Sequence, residues 1–301
     1  MMSINLARER SLSTAASERA LDLARRDMAR LQEQMSTGRR VNRASDDAPA
    51  YAQARQMERL SNRYAQYLRS IDGAQSWVDH TQDALNGMAD SLAEAYERGL
   101  RTKSESFDPD NLDAEANRIE SILAEVVDTL NSKDGDEYIF AGTNTTVKPF
   151  DQTPGGVVYN GNSAGRTRQI GDDQRIDVNI AGDSVHDTGA GFTITESLQD
   201  LADAMRSGDI TQMETALERV ATARDHVIDR GAEAGGIANR MDLAATQLRD
   251  ATLRVETRRS QLEDVDMAEA IMDYQRTQTG FEAALKVTAS VLQTSLLDYL
   301  R

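Results

Sequence analysis

The stretch MERLSNRYAQYLRSIDGAQSWVDHTQDALNGMADSLAEA, residues 57–95, decides the fold. Within it Met57, Leu60, Tyr64, Tyr67, Ile71, Ala74, Val78, Thr81, Leu85, Met88, Leu92 and Ala95 recur at alternating steps of three and four, with only Thr81 out of character. That period places one apolar seam along a helix, and a seam of this length requires partner helices to cover it. Gly73 inside it costs about 1 kcal/mol, which a long helix tolerates. The start of this rod is marked by VNRASDDAPAYA, residues 41–52. Ser45 or Asp46 can cap the helix, Asp46 and Asp47 suit its positive end, and Pro49 fits the first turn.

Working outward, the same spacing recurs at Leu21, Ala24, Met28, Leu31 and Met35, in a helix that stops at Ser36-Thr37-Gly38. Beyond a loop around Phe107-Asp108-Pro109, Leu112, Ala116, Ile119, Leu123, Val126 and Leu130 predict a third helix folding back antiparallel to the second. From Ser132 to about Gly191 the pattern changes to short strands and turns. Tyr138 to Ala141 reads as a strand, Val157-Val158-Tyr159 and Thr167–Ile170 as a hairpin about Asn160-Gly161-Asn162, and Ile176, Val178 and Ile180 as a half-buried strand. Helices resume near Thr195 and again at Asp209, with Gly231 to Gly236 expected to interrupt or bend the latter. The last helix carries a broad stripe: Ile271, Tyr274, Phe281, Ala284, Leu285, Leu292, Leu296 and Tyr299. Such width implies burial against more than one neighbour.

The fold class is therefore mainly α: long heptad helices from both termini forming a coiled-coil bundle, with a small inserted β-rich domain. Three domains are expected: 1–45 with 262–301, 46–131 with 192–261, and the insert 132–191. Residues 1–45 hold nine Arg against five Asp or Glu, whereas 262–301 hold three Lys or Arg against seven Asp or Glu. Opposite signs on two heptad segments favour their pairing with each other. The surface expected to carry assembly comprises Leu21, Met28, Leu31 and Met35 with Ile271, Tyr274, Phe281, Leu285, Leu292, Leu296 and Tyr299.

Chemistry is absent from this pattern. A net charge of −16 argues against a nucleic-acid backbone as partner, and no stretch is long and apolar enough to predict a membrane span. Without cysteine there is no disulfide, thiolate metal site or thiol nucleophile. His80, His186 and His226 stand apart, outside any ligand spacing, and the glycine-rich stretches do not continue as phosphate loops. Asp46-Asp47 reads as a helix cap, Glu263-Asp264 as solvated or partner-facing charge, and Trp77 as a core or interface residue. No enzyme activity, cofactor or metal is expected.

Two segments raise the reading above a helical bundle. MSTGRRVNRASDDAPAYAQARQ, residues 35–56, and SQLEDVDMAEA, from 260, with ALKVTASVLQTSLLDYLR at the end resemble the two terminal signatures of the bacterial flagellin family. DEYIFAGTNTTVKPF, residues 136–150, followed by VVYNGN, is similar to the members that join hook to filament, as is the ending SLLDYL. One departure is Ala48, which separates the two Asp from Pro49 and shifts the helix start slightly. The resemblance implies a structural adaptor that joins the hook to the filament and presents a surface for flagellin polymerisation. It further implies export unfolded through the flagellar type III channel, with no cleaved signal peptide, to an extracellular position. Its partners would be a ring of its own copies, a neighbouring hook-associated protein, filament flagellin and an export chaperone. The terminal helices would form an inner layer, the long middle helices a second, and the insert would face outward. Filament flagellin itself is the nearest rival reading. A signalling-receptor hairpin would lack the β insert.

Overall fold

The computed structural model describes residues 2–104 and 109–299, the side chains of 2–14, 104, 109 and 290–299 excepted. Its elements are α1 (Met2–Thr37), α2 (Ala48–Ser104), α3 (Pro109–Leu130), β1 (Lys133–Asp134), β2 (Glu137–Tyr138), β3 (Phe150–Thr153), β4 (Gly156–Tyr159), β5 (Thr167–Gln169), β6 (Arg175–Asp177), α4 (Gly182–His186), α5 (Ile194–Ser207), α6 (Ile210–Glu263) and α7 (Met267–Tyr299). The chain forms two compact units, one from its two ends, up to Asn62 and from Thr252, and one from Arg63–Ala251. Of the loop expected around Phe107-Asp108-Pro109, the first two residues lie outside the described ones.

In the second unit the α2 seam is buried continuously from Tyr67 to Ala95. Thr81 keeps its place there because its hydroxyl donates to the Trp77 carbonyl at 2.8 Å, which satisfies its buried polar group. Helix α3 runs antiparallel to α2, tied by Arg98–Glu115 at 3.2 Å and Arg118–Glu94 at 3.1 Å. Helix α6 returns along α2, with Lys103 and Glu214 paired at 2.6 Å. Ile119, Ile122, Val126, Leu198, Leu201, Val220 and Val227 complete a core with Leu85, Met88 and Leu92. Helix α5 starts at a capping box. Glu196 N–H donates to Thr193 Oγ1 at 3.2 Å, and Thr193 N–H donates to Glu196 Oε2 at 2.8 Å. It ends at Gly208, whose φ of 65° needs no Cβ.

The β region departs from the expected pairing. Three separate two-stranded antiparallel ribbons form, β1 with β2, β3 with β4, and β5 with β6. Val157-Val158-Tyr159 pairs back onto 150–152 across Pro154-Gly155, and Thr167–Gln169 pairs onward with Arg175–Asp177. Asn160-Gly161-Asn162 is thus no hairpin tip. Asn162 Oδ1 instead accepts from Thr143 N–H at 3.0 Å, and the Asn162 amide donates to the Ala141 carbonyl at 3.2 Å. Nor is 138–141 one strand: only Tyr138 pairs, while Ile139, Phe140 and Ala141 are all buried in a turn. The strand ends at Tyr138 because the chain turns there, and the turn carries all three following side chains inward. Ile176, Val178 and Ile180 are all buried, but only Ile176 lies in a strand: β6 ends at Asp177, and Asn179 is buried between the other two. Helix α6 runs unbroken through Gly231 to Gly236, held by buried Ala234 and Ile237 on one side.

Candidate assembly interface

Residues 38–47 and 262–266, both within the first unit, are knotted together by backbone. Arg40 N–H donates to the Glu263 carbonyl at 2.6 Å, Val265 N–H donates to the Gly38 carbonyl at 3.1 Å, and Arg39 bridges Asp264. Gly38 sits at φ 70°, the turn that ends α1. The Arg40 guanidinium donates to the Leu262 carbonyl at 3.0 Å and pairs with Asp47 at 3.2 Å. Val41 is buried beside them. The helix start is set by the acidic pair, with divided roles. Asp46 Oδ2 accepts from Asn42 N–H at 3.0 Å and Arg43 N–H at 2.9 Å, which shapes the preceding turn. Asp47 caps α2, accepting from Ala50 N–H at 3.0 Å. That bond, then Arg40, holds its carboxyl below the usual range. Ser45 is exposed in the turn, and Pro49 occupies the first turn of α2, where no N–H is needed.

From this knot α1 and α7 pack on each other as an antiparallel pair. Arg30, Leu31, Gln34, Val265, Glu269, Ala270 and Asp273 line one cleft of about 320 Å³ near the knot, and Arg25 lies over the Phe281 ring at 5.5 Å farther along. Leu31 is buried, and Leu21, Met28, Met35, Tyr274 and Phe281 are half-buried. Among the described side chains of α7, those turned from solvent are Ala270, Asp273, Tyr274, Thr277, Phe281, Ala284 and Thr288, and all but Asp273 form a three-four repeat facing α1. Ile271 and Leu285 fall outside it, 43 % and 41 % exposed, with Met267 and Met272 also exposed. The broad stripe thus divides into an inner row met by α1 and an outer apolar row. The side chains of Leu292, Leu296 and Tyr299 lie outside the described residues.

The remaining singled-out residues act structurally. Trp77 is buried with the Arg166 guanidinium over its ring at 4.4 Å. His80 pairs with Asp134 at 3.2 Å. His186 is buried, its Nε2 at 2.8 Å from Thr195 Oγ1, and burial holds its imidazole below the usual range. His226 meets the Ser184 carbonyl at 2.9 Å. Tyr159, which donates to the Phe140 carbonyl at 3.1 Å, is pushed up to about 12 by burial and by Asp183. Among the described residues no cluster of metal-ligating groups forms, and no helix is long and apolar enough to cross a membrane. Sequence reasoning missed Arg40, Val41 and Val265. The backbone bond from Arg40 to Glu263 joins positions 223 residues apart and leaves no local period to read.

Comparison with known proteins places this arrangement. Residues 10–145 match the bacterial flagellin N-terminal helical region, and 217–300 match the bacterial flagellin C-terminal helical region. Flagellar hook-associated protein 3 of Salmonella typhimurium is 25 % identical over 292 residues, covering 89 % of this chain and 92 % of that protein. Flagellin FlaB1 of Treponema pallidum is 24 % identical over 274 residues, covering 89 % and 91 %. The flagellar junction protein FlgL from Legionella pneumophila has the same fold, with a TM-score of 0.61 at 15 % identity over 70 % of this chain and 100 % of that one. With both terminal helical regions matched, over nearly three quarters of its length, the chain belongs to the bacterial flagellin family of structural, non-enzymatic flagellar proteins.

Proposed function

We propose that this protein is the structural adaptor between flagellar hook and filament. The observation that carries the reading is its near full-length similarity to hook-associated protein 3, spanning 89 % of this chain and 92 % of that relative. The outer row of α7 supports it: Ile271 and Leu285 are apolar, exposed and in heptad register with the inner row. Copies of the chain cover that row in a closed ring, through heterologous contacts between neighbouring subunits. The segments 1–45 and 262–301 form the inner layer, 46–131 with 192–261 the next, and 132–191 the outer domain. One rim meets a neighbouring hook-associated protein, and the other offers filament flagellin a surface from which to polymerise. The chain reaches this extracellular place through the flagellar export channel, accompanied by an export chaperone.

The similarity to flagellin FlaB1 over a comparable span favours a second reading, the filament subunit itself. Deleting the gene separates the two. The adaptor reading expects bare hooks with unassembled flagellin in the culture medium. Bare hooks with no flagellin in the medium make the chain the filament subunit, and normal filaments overturn both.

A further inference from the structure

Helices normally exclude glycine from their interiors, because each one lowers helix stability relative to alanine. Where a neighbour leaves no room for a Cβ, the exclusion is overridden. Gly99 of α2 is such a case: an added Cβ would lie 2.7 Å from Leu217 Cδ2 and 3.1 Å from Leu201 Cδ1. Five other helix glycines of the same unit have no such reason, and one of them, Gly73, stands alone fourteen residues before Gly87 in α2. A Cβ at Gly87 or Gly236 would meet nothing within 4 Å, at Gly235 only Gln82 Nε2 at 3.6 Å, and at Gly231 only Asn86 Oδ1 at 3.8 Å and Leu85 Cβ at 4.0 Å. The distances place Gly231 and Gly235 of α6 opposite residues 82–86 of α2, and Gly236 and Gly87 follow these directly in the sequence, so the four share one level of the antiparallel pair.

That level is also where the packing around the pair changes. Arg118 of α3 pairs with Glu94 of α2. Twelve residues on, α3 ends at Leu130, and twelve residues back along antiparallel α2 lies Gln82. His80, just beyond, already pairs with Asp134 of β1. On one side, then, α2 and α6 are braced by α3. On the other they meet strands and loops, through Trp77 with Arg166 and through Tyr67 with Asp172, whose hydroxyl–carboxylate distance is 2.8 Å.

We propose that this glycine level is a built-in bending point of the α2/α6 pair. Both helices remain continuous across it, with Leu85, Met88, Ala234 and Ile237 keeping the core closed. Bending there lets the strand-bearing part of the unit shift against the part braced by α3 without breaking the apolar seam. Three features converge on it: glycines in both helices, no steric need for any of them, and the end of the third helix.

The test uses the full chain. Because the sequence has no cysteine, residues introduced at exposed Ser76 and Glu97 carry spin labels cleanly, with backbones about 31 Å apart across Gly87. Distance distributions are measured by pulsed electron spin resonance in this protein and in the quadruple variant Gly87→Ala, Gly231→Ala, Gly235→Ala, Gly236→Ala, alongside Tm. The expected result is a raised Tm together with a narrower distribution that has lost its short-distance side. A lowered Tm would show that packing requires the glycines. A width unchanged by the four alanines would show that α2 is already straight and stiff. Either result overturns the proposal.

Discussion

At the scale of single residues, Asp47 and His186 respond to pH through opposite chemistry. Asp47 accepts the Ala50 N–H at the start of α2, so its folded carboxyl titrates below the ordinary 3.8. Its contribution is present above the unfolded value and is lost as pH falls through the folded one. Asp47→Ala removes the cap and is expected to cost about 1 kcal/mol, whereas Ser45→Ala, exposed in the turn, stays within about 0.5 kcal/mol. Urea midpoints at neutral pH check the pair, and equal losses would return the cap to Ser45. His186 is a base whose folded value is lowered from 6.5 by burial, with Glu196 and Asp187 opposing that shift. Below 6.5 the unfolded chain takes up a proton that the folded imidazole refuses, so stability falls with pH until the folded value is passed. His186→Gln is expected to flatten the stability profile between pH 7 and 5 relative to the unaltered chain. Parallel profiles would mean that the folded ring takes up its proton as readily as the unfolded one, so that burial does not hold it neutral. The acidic pair was legible in the sequence as a helix start, but the cap was read as Ser45 or Asp46 and is Asp47. Asp46 and Asp47 are both good caps, and which one takes the role depends on the loop that Asp46 folds.

Elements were legible where one period runs long. The α2 seam declares itself because eleven of twelve positions are apolar, and burial follows it from Tyr67 to Ala95. Short strands lack that redundancy. Val157-Val158-Tyr159 has turn residues on both sides, Pro154-Gly155 before it and Asn160-Gly161 after, so local propensity alone does not choose a partner. Tertiary contacts choose. Tyr159 is drawn inward by the Phe140 carbonyl and packs on Phe150, ring centroids 5.0 Å apart, which fixes β4 on β3. Glycine in a helix is ambiguous for a related reason, since composition does not say whether space or bending called for it. Gly99 separates the cases. With its Cβ position 2.7 Å from Leu217, Gly99→Ala is expected to destabilise by about 1–3 kcal/mol despite alanine's better helix propensity. Gly236→Ala, where nothing lies within 4 Å, is expected to stabilise by up to about 1 kcal/mol. Thermal unfolding of the two variants side by side settles it, and shifts of the same sign would refute the distinction.

For the whole molecule, the question is how a chain of net charge −16 comes to self-associate. Uniform repulsion between copies acts over roughly 10 Å at 0.1 M salt and opposes any contact that is not specific. The broad stripe of α7 reads in the sequence as a surface with two neighbours, yet one chain supplies only one of them. Helix α1 covers the row through Ala270, Tyr274, Phe281 and Ala284, and Ile271 and Leu285 remain exposed on the flank. A residue exposed in the single chain contributes little to that chain's own stability, so Ile271→Gln with Leu285→Gln is expected to move its urea midpoint by no more than about 0.5 kcal/mol per site. If copies or flagellar partners cover that row, the same double variant loses burial of the remaining two fifths of each side chain, worth about 0.6–1.3 kcal/mol apiece in every contact of the ring. Cells carrying it are then expected to export the protein into the medium, to show bare hooks and to fail to swim. Normal filaments on such cells, with the chain retained at the hook tip, would mean that assembly uses another face of the molecule. A large drop in the midpoint of the isolated chain would place the row inside the subunit instead.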